Sequence, residues 1–376
     1  MRYHSPLADF ESLKSHSRSV RSIFPVVFHH QNCQRGAKRQ VRIVDPLTHA
    51  TLGAAAAALI STRGNVRLAI AVGAAAAAVP DLDVLIKSEA DPLLNLQYHR
   101  HFTHALVVAP LIGLLMAWLF KIVFFWKQWP FWDLARFGIG GALTHGLLDA
   151  CTSYGTSLYW PFSEYRESWE IVSVIDPLFT VPLLVLVVIT LFGRRPNFAR
   201  VGLLWCLAYL TFGIYQRERA EAFTQELAVS RGHVATEVTV RPSFGNTVLW
   251  RILYRYGDRY YVDAVRILPG TAPVHHPGDT VEVFTRGGAR VGAGVDTTLA
   301  NDIERFRHFS QGFLYIYPGD PRVVGDLRYA LFPDSISPLW GIRIDGDVGE
   351  HADVVYFREA SPEAFGQLWR MILGKK

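Results

Sequence analysis

Long uncharged apolar runs fill residues 45 to 215, and from residue 216 onward apolar and polar residues alternate in short segments. The first pattern predicts helices in a membrane and the second a water-soluble fold. Two alanine-rich runs come first, Leu47 to Ile60 and Val66 to Val79, parted by STRGN at Ser61 to Asn65. Each holds about 15 residues, short of the roughly 20 that cross an untilted bilayer. Arg63, Gly64, Asn65 and Arg67 would be costly at a bilayer centre, so the runs predict a pair of short helices rather than one interrupted span. Their alanine-rich faces allow close approach. Ala105 to Trp126 is the clearest span, with Lys121 near enough to its end to snorkel, and Trp126, Trp129 and Trp132 form an expected interfacial belt. Phe131 to Leu148, Asp176 to Phe192 and Phe198 to Tyr215 complete an expected set of six helices.

Beyond Arg217 a short charged helix gives way to period-two alternation. Val248 to Tyr256 and Arg259 to Ile267 flank Gly257-Asp258 and predict a β-hairpin. Thr297 to Phe309 and Pro362 to Leu373 read as helices, with strands near Thr280 to Phe284, Gly341 to Ile344 and Val354 to Phe357. No glycine-rich phosphate loop is present. The expected fold class is an all-α polytopic membrane bundle of about six helices over residues 44–215, followed by a soluble α+β domain over 216–376. Residues 1–43 are expected to be a disordered basic extension, or to mark a start placed too early, with translation beginning near Val44.

Composition agrees with the membrane reading: half of the 376 residues are hydrophobic and 19% are charged, against roughly 25% charged in globular proteins. The net charge of +5 does not indicate a nucleic-acid partner. Residues 1–43 hold eight Lys or Arg against Asp9 and Glu11, which exceeds the whole excess. Cys33, Cys151 and Cys206 are odd in number and far apart, so neither a disulfide framework nor a thiolate zinc site is expected.

Ionisable groups beside or within membrane helices are costly and usually functional. Here they are His49, Asp81, Asp83, His99, His101, His104, His145, Asp149 and Asp176, the nitrogen and oxygen donors preferred by zinc and its neighbours. With six helices, all fall at helix ends on one side of the membrane. His145 and Asp149 stand four apart in THGLLD and so share a helical face. Each piece also has a plainer reading. Asp81 and Asp83 end a helix in water, the HRHFTH segment contacts lipid headgroups, and His145 bonds only to Asp149. Asp176 before Pro177 reads as a helix N-cap, and His275 and His276 as solvated loop residues. Together the first three groups favour a metal.

DPLTHATLG at Asp45 to Gly53, PDLD at Pro80 to Asp83, YHRHFTHAL at Tyr98 to Leu106 and THGLLD at Thr144 to Asp149 resemble the YdjM-like family of inner-membrane metal-dependent hydrolases, of the LexA-regulated type. The resemblance implies metal ligands at His49, Asp81, Asp83, His99 or His101, His104, His145 and Asp149. It also implies a multi-pass protein of the bacterial inner membrane. The HxxxD spacing is more remotely similar to zinc-dependent phospholipase C. The function expected is hydrolysis of an ester or phosphoester of a lipid-like substrate, with zinc, or else manganese, as cofactor. Asp81 or Asp83 would bridge metals or act as base, and Arg100 would bind a phosphate oxygen. The expected partners are membrane lipid and an amphipathic phosphoester. The competing class is a non-enzymatic membrane protein, either a metal or proton transporter or a scaffold for the soluble domain.

Overall fold

The computed structural model describes residues 46–123, 128–285, 297–345, 349–357 and 361–375. The expected extension over residues 1–43, Cys33 and Trp126 lie outside them. The alanine-rich segment breaks where its polarity predicts, giving α1 (Pro46–Leu59) and α2 (Val66–Ala78). In the break, the Asn65 side-chain oxygen accepts from the Thr62 amide at 2.7 Å, closing the turn. A 3-10 turn at Pro80–Leu85 follows, then α3 (Leu94–Tyr98), a second 3-10 turn at Phe102–His104, α4 (Ala109–Val123), α5 (Phe131–Cys151), α6 (Pro177–Gly193) and α7 (Pro196–Ser230).

Small residues let the first helices touch along their backbones. A methyl group on Gly53 would stand 2.3 Å from Ala77 Cβ, one on Gly73 2.5 Å from the Gly53 carbonyl oxygen, and one on Gly141 2.3 Å from the Gly73 oxygen. Thus α1, α2 and α5 cross at contact distance without side chains between them, which brings the ends of all three together.

The six crossings expected are not all supported. By length and hydropathy, Val66–Leu85 and Pro196–Ser230 are able to cross a membrane, and Leu94–His104 with Ala109–Val123 makes a third if these pieces, bent by 79°, form one span. α6 is apolar but holds 17 residues, and α1 holds 14. α5 has the length but carries Asp133, Arg136, His145 and Asp149. The physical reason is division of labour: α1 and α5 face other helices and bear the ionisable groups, so they lack the apolar length of a lipid-facing span.

α7 is one helix of 35 residues, about 52 Å long at 1.5 Å per residue, where the sequence suggests two helices meeting near residue 215. Its first half packs on α1 and α6 through Cys206 and Tyr209. Its second half sets Ala220, Phe223 and Leu227 against Val240, Trp250 and Val265 of the carboxy-terminal region. At the changeover, fully buried Gln216 donates to the carbonyls of Thr247 and Ile267.

That region holds two antiparallel sheets. The first runs β1 (Thr236–Pro242), β2 (Leu249–Tyr256), β3 (Arg259–Arg266) and β4 (Val274–Glu282) in sequential order. Tyr256 pairs with Arg259 around the Gly257 turn, where φ is +62°, as the Gly-Asp hairpin signal predicts. After α8 (Thr297–Phe309), the second sheet orders β5 (Leu314–Ile316), β6 (Val323–Asp326), β7 (Trp340–Arg343) and β8 (Val354–Tyr356). α9 (Pro362–Leu373) then packs on the first sheet through Leu368 and Met371, which cluster with Leu249 and Ala264.

Candidate metal centre

Five side chains from four segments converge between the ends of the first helices. His49 sits in the first turn of α1, Asp81 in the 3-10 turn after α2, His104 in the turn before α4, and His145 and Asp149 one turn apart near the end of α5. One donor atom from each of His49, His145 and Asp149 lies within 4.8 Å of the others, and the same holds for Asp81, His104 and His145, so both groups are able to hold an ion and share His145. The closest approaches are His104 Nε2 to His145 Nε2 at 2.9 Å, His104 Nε2 to Asp149 Oδ2 at 3.1 Å, His49 Nε2 to Asp149 Oδ1 at 3.2 Å, His145 Nε2 to Asp149 Oδ2 at 3.4 Å and His145 Nε2 to Asp81 Oδ1 at 3.5 Å. The His49 and His145 rings stack at 3.8 Å. All five are buried, His145 and Asp149 completely.

The outer hydrogen bonds fix which nitrogens face inward. His145 Nδ1 lies 2.6 Å from the Ala77 carbonyl oxygen, which only accepts, so Nδ1 carries a proton and, in the neutral ring that metal binding requires, the Nε2 lone pair faces the centre. His104 Nδ1 is 2.9 Å from Thr103 Oγ1 and 3.4 Å from Asp83 Oδ2; the Thr103 hydroxyl donates to Asp83, so its oxygen accepts from Nδ1, and in the neutral ring the Nε2 lone pair turns inward. Two lone pairs at 2.9 Å repel unless something positive lies between them. A shared proton satisfies that pair of nitrogens but leaves both oxygens of Asp81, which have no hydrogen-bond partner, unserved. A cation serves all of these atoms. Fixed charge points the same way: among the described residues, the only guanidinium ion-paired with Asp81, Asp83 or Asp149 is Arg100, so two of these three buried carboxylates have no fixed cation as partner, a deficit that a divalent ion makes up. The residues therefore fit a metal, which His49, Asp81, His104, His145 and Asp149 would hold.

Asp81 and Asp83, two residues apart, do different work. Asp83 lies behind the five, next to the outer edge of His104, taking His99 Nδ1 at 2.8 Å on Oδ1 and the Arg100 amide at 2.8 Å and Thr103 Oγ1 at 3.3 Å on Oδ2. It is an outer carboxylate that orients imidazoles and the loop bearing them. Exchange of Asp83 for asparagine keeps its size but replaces an acceptor oxygen by a donor. We expect metal affinity to fall by about 10- to 100-fold, measured by metal titration of the apo protein; unchanged affinity would reduce Asp83 to a structural turn residue.

His99 joins this outer layer, its ring 6.2 Å from that of His104. His101 turns elsewhere, packing on Trp160 and Tyr98 at 6.0 and 5.7 Å between ring centres. Arg100 separates the two with φ of +59°, a left-handed conformation worth about 1–2 kcal/mol of strain in a non-glycine residue. Three contacts hold it there: Nη2 lies 3.0 Å from Asp149 Oδ1, Nη1 donates to Thr152 Oγ1 at 2.8 Å, and the guanidinium covers the Tyr154 ring at 4.9 Å. Asp176 caps α6, accepting from the Leu178 and Phe179 amides. His275 and His276 lie in β4 rather than in a loop, both half-buried, and His275 pairs with Asp263 at 3.0 Å.

Several contributors carry no signal in the sequence. Arg166, in the loop after α5, donates to the carbonyls of His99 and Gly155, both at 2.9 Å. Its burial pushes its guanidinium down to about 10. Its carbonyl in turn accepts from Gln311 of the carboxy-terminal region at 2.9 Å. Thr103 and Thr152 complete the support, and ordinary polar residues of this kind are recognisable only by what they touch.

Among known proteins, the family model described as YdjM inner membrane protein matches residues 44–220. No curated protein and no solved structure shows a significant match to the chain.

Proposed function

Because residues 44–220 belong to the YdjM inner membrane protein family, we propose that the chain is a multi-pass, membrane-bound, metal-dependent hydrolase acting on an ester or phosphoester of an amphipathic substrate. The observation that supports this reading most is the pair of inward-facing Nε2 lone pairs of His104 and His145, 2.9 Å apart beside the unpartnered oxygens of Asp81. The donor set of three imidazoles and two carboxylates suits zinc best, with manganese as the alternative. A divalent ion bound there supplies Lewis acidity toward the bond under attack and makes water a stronger nucleophile at neutral pH.

The protein's own residues divide the remaining tasks. Asp81 has no hydrogen-bond donor on either oxygen and the most exposed side chain of the five, at 10%, which suits it to take a proton from an entering water. Asp83, His99 and Thr103 hold the imidazole edges. Arg100 fixes Asp149 and places a guanidinium beside the centre, which favours an anionic group on the substrate. A transporter needs ionisable groups open to both sides near the midplane; here they gather at helix ends.

The test uses full-length protein in detergent, with metal content measured beside hydrolysis of nitrophenyl phosphate, bis-nitrophenyl phosphate and nitrophenyl carboxylic esters. We expect a stoichiometric divalent ion and turnover of at least one phosphoester, abolished by chelator and restored by zinc or manganese. Bound metal without turnover of any ester, together with metal uptake into proteoliposomes, would replace the hydrolase by a transporter.

A further inference from the structure

α9 carries more apolar surface than the carboxy-terminal region uses. At about 100° per residue, Leu368 and Met371 lie on the arc that packs against Leu249 and Ala264. Phe365, Trp369 and Leu373 recur every fourth residue and form a neighbouring stripe, exposed by 43, 59 and 45%. A water-facing helix turns polar residues outward, yet this one turns a phenylalanine, a tryptophan and a leucine. Arg370 lies beside the stripe and Lys375 just past the helix end, both exposed.

The neighbourhood supplies the occupant. Phe244, 48% exposed in the loop between β1 and β2, extends the stripe, with its ring 6.0 Å from that of Phe365. The next residue, Gly245, donates its amide to Ser173 Oγ at 3.1 Å, in the segment leading into α6. A methyl group on Gly245 would stand 3.7 Å from Pro177 Cδ, the first residue of that helix. α6 continues the apolar exposure with Leu178, Val181 and Val185, each at least half exposed. The surface therefore runs unbroken in chemistry from the apolar flank of α6, through Phe244, onto α9. Aromatic and leucine side chains with adjacent cations are the composition of a helix lying in the headgroup region, where cations meet lipid phosphates and apolar side chains reach the acyl boundary.

We infer that α9 is an interfacial anchor: its Phe365, Trp369 and Leu373 stripe, with Phe244, rests in the membrane surface beside the start of α6, seating the carboxy-terminal region against the bilayer on the side where the His and Asp side chains gather. This depends on the membrane setting of the family and not on the hydrolase reading.

The test is nitroxide accessibility in full-length protein reconstituted into phosphatidylcholine and phosphatidylglycerol vesicles. Labels are placed singly at Phe365→Cys, Trp369→Cys and Leu373→Cys, with Gln367→Cys on the polar side as reference, all on a Cys33→Ser background. Cys151 and Cys206 are buried. The expected result is several-fold higher collision with oxygen than with an aqueous nickel chelate at the three stripe positions, and the reverse at position 367. Nickel access at the stripe equal to that at 367 would show it facing water and overturn the anchor. Low access to both reagents would place a second copy or another protein there, which also overturns it. Should labelling loosen α9, brominated-lipid quenching of the unlabelled protein and of Trp369→Phe provides an independent reading: the anchor requires that quenching fall in the variant.

Discussion

Replacement of His104 and Asp149 by alanine together is expected to yield a membrane-inserted protein that no longer retains a divalent metal. These two residues make the 3.1 Å approach between the two candidate groups, since His104 belongs with Asp81 and His145, and Asp149 with His49 and His145. Their loss leaves neither group complete, so the fall in affinity should exceed the roughly 10- to 100-fold that changing an outer partner costs. Insertion should persist, because the apolar segments Val66–Leu85 and Pro196–Ser230 are untouched. Removal of Asp149 also strips Arg100 of its carboxylate, and a buried unpaired guanidinium costs about 3–5 kcal/mol. A companion variant, His104→Gln with Asp149→Asn, removes the imidazole nitrogen and the carboxylate charge but leaves Arg100 an amide oxygen to bond to. Elemental analysis of both against wild type decides the matter, and stoichiometric metal in the companion variant would count against the assigned donors.

Exchange of Gly146 for alanine is expected to damage the centre without changing the side chain of any candidate ligand. A methyl group there would stand 2.1 Å from the His104 carbonyl oxygen, so α5 and the turn carrying His104 must separate by about 1 Å to reach ordinary contact. Overpacking of this kind costs about 1–3 kcal/mol of stability, and a 1 Å displacement in a preorganised site costs on the order of 100-fold in function. Metal titration and thermal unfolding of Gly146→Ala should show both. Gly140→Ala is the control. It lies on the same helix, its added methyl would meet only Ile60 Cδ1 at 3.9 Å, and alanine favours a helix by about 1 kcal/mol over glycine. Equal metal affinity in the two variants would show that the approach of α5 to the His104 turn is not what positions the imidazole.

The carboxy-terminal region also bears on the centre. The path runs from Gln311 to the Arg166 carbonyl, from Arg166 to the His99 carbonyl, and from His99 to Asp83. Tyr154, under Arg100 on one side, meets Phe309 at 5.4 Å on the other. These contacts lie partly beyond residues 44–220, so support for the loop at 99–104 reaches past the segment that the family model matches.

Much was legible where chemistry is local. The break at Ser61 to Asn65, the hairpin at Gly257, the helices Thr297–Phe309 and Pro362–Leu373, and the cap at Asp176 follow from periodicity, turn chemistry and capping, which act within a few residues. The candidate residues stood out because ionisable groups are costly beside apolar helices. Their division of labour was not legible. Asp81 and Asp83 are the same residue type two positions apart, and only the packing of the loop at 99–104 turns one toward His104 and His145 and the other toward His99. His99, His101 and His104 are likewise separated by the left-handed turn at Arg100, which Asp149, Thr152 and Tyr154 stabilise from distant parts of the chain. β5 and β6, at three and four residues, are too short to show alternation, and α7 reads as two helices because its partners change from the apolar helices α1 and α6 to the first sheet near Gln216. The sequence by itself determined which segments are apolar, where they break and which donors are available. Tertiary structure alone decided which donors meet, because that depends on close approaches such as Gly53 to Ala77 and Gly146 to His104, made between residues far apart along the chain.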